Sequence, residues 1–225
     1  GSAVAKKRVS RMGEISKNIF NIGSPDIDVI INKKLPNIIN VKKRYGIKYS
    51  EYGILLWHPV TSKIETLKKD TDKILKFIKT LNKNFIIIYP NNDPGSNLII
   101  DSYKKINNKK FKILRNMRFE YFLSLLKNAK YILGNSSSAI YEAPMLATPA
   151  INIGDRQYKR IKSKIIKNIN LKDLNEKKIY NFVKNYKPIK ENLYGHGNSD
   201  KKFLKILLKK NFWDIAKQKF FSDLS

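Results

Sequence analysis

From Gly134 to Glu142 the chain reads Gly-Asn-Ser-Ser-Ser-Ala-Ile-Tyr-Glu, a run of residue types able to hold an anion. Serines at a helix start either cap it or offer hydroxyl and backbone N–H groups to a phosphate. Glu142 lies six residues beyond Ser136, about 9 Å along a helix. That is roughly the reach from a diphosphate to the ribose of one nucleotide, whose two hydroxyls a carboxylate can accept together. A second apolar stretch, Ala150 to Ile153, ends in Gly154-Asp155-Arg156-Gln157 and delivers a guanidinium. The order and spacing describe a cradle for a nucleoside diphosphate. Each piece also has a plainer reading: the serines as a cap and turn, Glu142 as a partner for the helix dipole, Arg156 as a solvated cation.

Such a cradle needs elements that bring several strand ends together. Buried strands are expected at Gly53 to Trp57, Phe85 to Tyr89, Phe111 to Leu114, Tyr131 to Leu133 and Ala150 to Ile153, with a further short one near Lys164 to Ile169. Helical spacing marks Ile64 to Leu81, where Leu67, Ile74, Leu75, Ile78 and Leu81 recur on one face. Helices are also expected at Ala3 to Met12, Asp26 to Asn32, Ser96 to Ile106, Phe119 to Ala129, Asn175 to Asn185 and from Asp200 onward. Asn18 to Ile22 reads as a short strand, and Leu35 to Tyr52 as a loop with a helical piece. Continuous apolar strands alternating with helices imply an α/β fold, a doubly wound parallel sheet of the Rossmann-like kind. Ligands of such sheets sit beyond the strand C-terminal ends. His58, Asn91, Met117, Ser136 and Arg156 all fall there, at five strand ends forming one mouth.

Composition narrows the chemistry. The 225 residues suffice for a sizeable core, and 42% of them are hydrophobic. There is no cysteine and only two histidines, His58 and His196, so thiolate metal sites are excluded and no metal is expected. No apolar run approaches the roughly 20 residues of a membrane span, no signal-peptide pattern opens the chain, and a cytoplasmic location is expected. Gly1-Ser2 is expected to be a cloning remnant. The net charge of +28 can mark a nucleic-acid binder. Here the lysines are dispersed among Ile and Asn, whose codons are A/T-rich, so genome composition explains them more simply. The positive field still favours phosphate-bearing small molecules.

Several segments in order resemble one family. The stretch GNSSSAIYEAPMLATPAINIGDRQYKR looks like the signature of the hydrolysing UDP-N-acetylglucosamine 2-epimerases of sialic-acid and legionaminic-acid biosynthesis. WHPVTSKIE at 57–65, YPNNDPGS at 89–96, RVSRMGEISKNIFNIGSPDID at 8–28 and NLYGHGNSDKK at 192–202 resemble further segments of that family. The resemblance implies one half of a GT-B-type two-domain fold, the C-terminal nucleotide-binding half. It places that domain at 3–190, with tail helices at 191–225. The family's N-terminal domain, which brings the carboxylates of the acid/base chemistry, has no counterpart here, so the chain is expected to bind nucleotide and not to turn over.

Carried over by position, Ser136 and Ser137 would hold the diphosphate and Glu142 the ribose. Met117 would meet the base edge through its backbone, with Phe122 as an apolar wall. Asn91 would face the nucleotide, Arg156 would supply a charge-assisted hydrogen bond, and His58 would help the nucleoside diphosphate depart. The implied partner is a UDP-sugar, with no cofactor, no specific nucleic acid and no membrane, and a homodimer for the intact enzyme. Plainer roles stand beside these: His58 as a strand end, Asn91 as an Asx turn, Phe122 as core. His196 is a loop histidine where the family has a small or acidic residue, and Ala139 stands where Gly is more usual. The donor half of a GT-B glycosyltransferase shares the sheet and the serine cradle and is the alternative. A basic nucleic-acid module is the third reading.

Overall fold

The computed structural model describes residues 1–216 and 218. In chain order its helices and strands are α1 (Ala3–Arg11), α2 (Pro25–Asn32), α3 (Ile38–Tyr45), β1 (Gly53–Leu56), α4 (Ile64–Thr80), β2 (Phe85–Ile88), α5 (Ser96–Lys104) and β3 (Phe111–Leu114). These are followed by α6 (Phe119–Lys127), β4 (Tyr131–Gly134), α7 (Glu142–Met145), β5 (Ala150–Ile153), β6 (Ile166–Ile169), α8 (Glu176–Lys184), α9 (Ser199–Leu207) and α10 (Lys210–Trp213). The chain divides into two compact units: residues 35–191, and residues 1–34 with the described residues from 192 on. This differs from the expected 3–190 domain, because residues 3–34 group with the C-terminal residues and not with the sheet.

The larger unit is built on a six-stranded sheet of order β3-β2-β1-β4-β5-β6, every pair parallel. The order reverses between β1 and β4, the switch point where a doubly wound sheet opens a crevice. Successive strand residues face opposite ways. Leu55, Phe85, Ile87, Tyr131, Leu133, Ile151 and Ile153 therefore share one face, buried with Leu67, Ile74, Leu75 and Ile78 of α4, Ile99 and Tyr103 of α5, and Ile179 of α8. The alternate residues Ile54, Ile86 and Ile132 are buried as well, which is why these strands read as continuous apolar runs. Trp57 continues the first face beyond β1 and donates its indole N–H to Thr71 Oγ1 at 3.2 Å. Thr71 in turn donates to the Leu67 carbonyl at 2.7 Å. The two polar groups thus enter the core already paired.

In the smaller unit, the N-terminal segments are joined to the C-terminal residues by hydrogen bonds. Asp28 of α2 accepts the Ser199 N–H at 2.8 Å and the Ser199 hydroxyl as well, placing a carboxylate at the positive end of α9. Ser24 N–H donates to the Tyr194 carbonyl at 2.8 Å and Asn32 Nδ2 to the Gly197 carbonyl at 2.6 Å. The strand expected at Asn18 to Ile22 does not form. Ser16–Asn18 is a 3-10 turn, and Ile19 beyond it is extended but belongs to no strand. Strand structure needs a pairing partner as well as an extended backbone.

Candidate functional site

Beyond the tips of β1, β2, β3 and β4 lies a cavity of about 680 Å³. Each tip supplies a short loop to it: His58 after β1; Tyr89, Pro90, Asn91 and Asn92 after β2; Arg115, Asn116 and Met117 after β3; Ser136, Ser137 and Ser138 after β4. Arg156 reaches it from beyond β5, and Phe119 and Phe122 of α6 form an apolar wall. No carboxylate is among these lining residues. A larger hollow, about 870 Å³, runs along β6 and α8 and gathers lysines and asparagines at the sheet edge. It touches none of the strand tips at the switch point.

The local geometry follows from Gly134. Its φ is +138°, and a Cβ there would stand 1.9 Å from the Leu56 carbonyl oxygen. Only glycine lets β4 end this close to β1. The next residue, Asn135, donates its N–H to the Leu56 carbonyl at 3.2 Å. Its side chain then pairs with the main chain of His58: Oδ1 accepts the His58 N–H at 2.8 Å and Nδ2 donates to the His58 carbonyl at 2.8 Å. Ser136 is buried, and its hydroxyl accepts the Ser138 N–H at 3.2 Å, capping the 3-10 turn Ser137–Ala139.

His58 is 5% exposed. Its Nδ1 accepts the Asn91 N–H at 3.3 Å, so the neutral ring carries its proton on Nε2. Burial pushes its pKa down to about 4, the Arg156 guanidinium pushes the same way, and Asp93 opposes them. The imidazole is therefore a neutral N–H donor near neutral pH and not a cationic acid. Arg156 donates from Nη1 to the Asn135 carbonyl at 3.1 Å and stands 3.9 Å from the Asp93 carboxylate. Asp93 lies in the turn after β2, where the Ser96 hydroxyl bonds the Asp93 carbonyl at 2.6 Å and also contacts the Asn91 carbonyl. Asp155 is paired with Lys63 at 2.7 Å and is not among the lining residues. Two guanidiniums, a neutral donor, three serines and three asparagines form a hollow suited to an anion with several oxygens.

Of the eight residues singled out from sequence, His58, Asn91, Met117, Phe122, Ser136, Ser137 and Arg156 line this one hollow. Glu142 does not. Its expected place on a helix continuous with Ser136 is corrected by the structure: the 3-10 turn ends at Ala139 and α7 starts afresh at Glu142. Pro144 is the cause, since in a continuous helix its ring would clash with the carbonyl of Ile140. Sequence reasoning missed Asn92, Arg115, Asn116 and Ser138 in the lining, and Asn135 behind it. Arg115 directly follows a strand, the same signal that identified Arg156.

The family model for UDP-N-acetylglucosamine 2-epimerase matches residues 2–208. A UDP-N-acetylglucosamine 2-epimerase of Neisseria meningitidis serogroup B is 36% identical over 98% of this chain and 60% of its own length. A GDP/UDP-N,N'-diacetylbacillosamine 2-epimerase (hydrolyzing) of Campylobacter jejuni is 35% identical over 77% of this chain and 46% of its own. The chain thus spans about half to three fifths of the length of these curated relatives. Among solved structures, the Methanocaldococcus jannaschii UDP-GlcNAc 2-epimerase in complex with UDP-GlcNAc and UDP superposes with a TM-score of 0.69 at 23% identity, over 92% of this chain and 59% of that one. That likeness carries the fold, a doubly wound sheet forming one half of a GT-B-type architecture. The chain belongs to the UDP-N-acetylglucosamine 2-epimerase family.

Proposed function

We propose that this chain is the nucleotide-sugar-binding half of a hydrolysing 2-epimerase acting on UDP-N-acetylglucosamine or UDP-N,N'-diacetylbacillosamine. The observation that carries the reading is the convergence of strand-tip serines, Arg115, Arg156 and neutral His58 on one hollow without a carboxylate among its lining residues. Such a set complements a diphosphate. The names of two relatives, the hydrolyzing diacetylbacillosamine 2-epimerases of Campylobacter jejuni and Legionella pneumophila, support the sugar class.

In this reading the base lies against Met117 and Phe122, and the diphosphate on Ser136 to Ser138 and Arg156. A base removes the C2 proton of the sugar while the anomeric C–O bond breaks, giving a glycal and UDP. Water then adds to the glycal and free 2-epimerised sugar leaves. Negative charge grows on the departing diphosphate, and fixed donors aimed at that charge stabilise it without transferring a proton. A neutral imidazole with its proton on Nε2 fits that task. Proton transfer and turnover are assigned to the whole enzyme, and nucleotide binding to this chain. The role of Glu142 as acceptor of the ribose hydroxyls rests on the sequence resemblance and not on the cavity.

Calorimetric titration of the chain with UDP, GDP and CDP tests the binding half of the proposal. Saturable binding that favours UDP is expected; absence of binding to all three refutes it. For the whole enzyme, release of free 2-epimerised sugar without any acceptor supports the epimerase. Sugar transfer that depends on an acceptor supports the glycosyltransferase.

A further inference from the structure

His58 and Arg156 come from different strands, yet both are bonded to one residue that does not itself line the cavity. Asn135 is 1% exposed and uses its polar groups on both sides. Its carboxamide closes a two-bond ring with the His58 main chain, at 2.8 Å each way, extending the β1–β4 ladder past the point where Gly134 turns the strand aside. Its own carbonyl accepts from Arg156 Nη1 at 3.1 Å. Its N–H is anchored on the Leu56 carbonyl. Among side chains of this length, only a carboxamide supplies one donor and one acceptor side by side. Aspartate lacks the donor, leucine lacks both, and serine is too short to span the pair.

We propose that Asn135 is the positioning residue of this cavity, fixing through its carboxamide the imidazole of His58 and through its carbonyl the guanidinium of Arg156, so that both converge on one anion. The part concerning the anion rests on the diphosphate reading above; the part concerning His58 does not. With the His58 main chain held, the imidazole meets the Asn91 N–H at Nδ1 and is restricted to the Nε2–H tautomer. Arg156 and Asp93 are the charged groups that act on this ring, and Arg156 is held by the same residue.

The test uses the full chain. Imidazole NMR is simple here because His58 and His196 are the only histidines. In the native chain His58 is expected as a single Nε2–H tautomer that stays neutral well below the ordinary histidine range. Asn135→Ala should give exchanging tautomers at His58 and a titration nearer the ordinary value. UDP affinity should fall by about tenfold, as when the two neutral hydrogen bonds that hold the His58 main chain are lost while the Arg156 bond to the backbone carbonyl remains. Asn135→Asp supplies the second variant. A protonated carboxyl offers one donor and one acceptor and can close the ring with His58, whereas a carboxylate cannot. UDP affinity of Asn135→Asp should therefore recover as the pH falls, in a step the native chain lacks. A purely structural role predicts a lower melting temperature with unchanged His58 tautomer and titration, and a flat affinity profile for Asn135→Asp; that result overturns the proposal. If the native chain does not bind UDP, the diphosphate reading fails, and the His58 tautomer still decides the role of Asn135.

Discussion

Burial of His58 as a neutral ring makes the stability of the fold depend on pH in a calculable way. The unfolded chain has an ordinary histidine pKa of about 6.5, whereas in the fold the value is pushed down to about 4. Between these values the unfolded state binds more protons than the native state, so stability falls as the pH falls. The contribution is complete above the unfolded value and is lost progressively down to the folded one. At about pH 5 the loss comes to about 2 kcal/mol, approaching about 3 kcal/mol below both values. His58→Asn keeps an acceptor near the Asn91 N–H but cannot titrate. Urea denaturation of both proteins at about pH 7.5 and about pH 5 isolates the effect, because all other shared titrations cancel in the comparison. The native chain should lose about 2 kcal/mol more than His58→Asn on acidification. Equal losses would refute the assignment of a buried, neutral His58.

Gly134→Ala forces a Cβ against the Leu56 carbonyl at a backbone angle that L residues avoid. It should cost about 3 kcal/mol or more, from backbone strain and loosened β1–β4 hydrogen bonds, read as a drop in melting temperature. Thr71→Val leaves the buried Trp57 indole N–H without its acceptor and should cost about 1–3 kcal/mol in chemical denaturation. Glu142→Ala should weaken UDP binding by about 1–3 kcal/mol in calorimetry; unchanged affinity removes Glu142 from the ribose. Ser137→Ala should cost less than Glu142→Ala in the same titration, because the backbone N–H remains.

The strands were legible because a parallel sheet covered on both faces leaves its inner strands apolar, as Gly53–Leu56 and Phe85–Ile88 illustrate. The α4 stripe was legible for the complementary reason: Leu67, Thr71, Ile74, Leu75 and Ile78 all fall on one side of the helix and are buried. Asn18 to Ile22 misled because a partner strand is a non-local condition that no local pattern states. The break before Glu142 was written in Pro144, whose effect on the preceding turn outweighs the helical look of Ala139-Ile140. Asn135 was hidden for a different reason. Its role exists only because Gly134 lets β4 close on β1, and the distance from Asn135 to His58 spans 77 positions of sequence. Short apolar stretches revealed the scaffold, whereas the hydrogen bonds that orient the site's side chains depend on the assembled sheet.

The central claim is that separate strand tips form a single diphosphate site, and an NMR titration of the isotope-labelled chain with UDP tests it most directly. The amides of Asn91, Asn116, Ser137 and Ser138 and the Arg156 side chain should shift together along one binding curve. Shifts confined to the hollow between β6 and α8, or separate curves for the different loops, would contradict it.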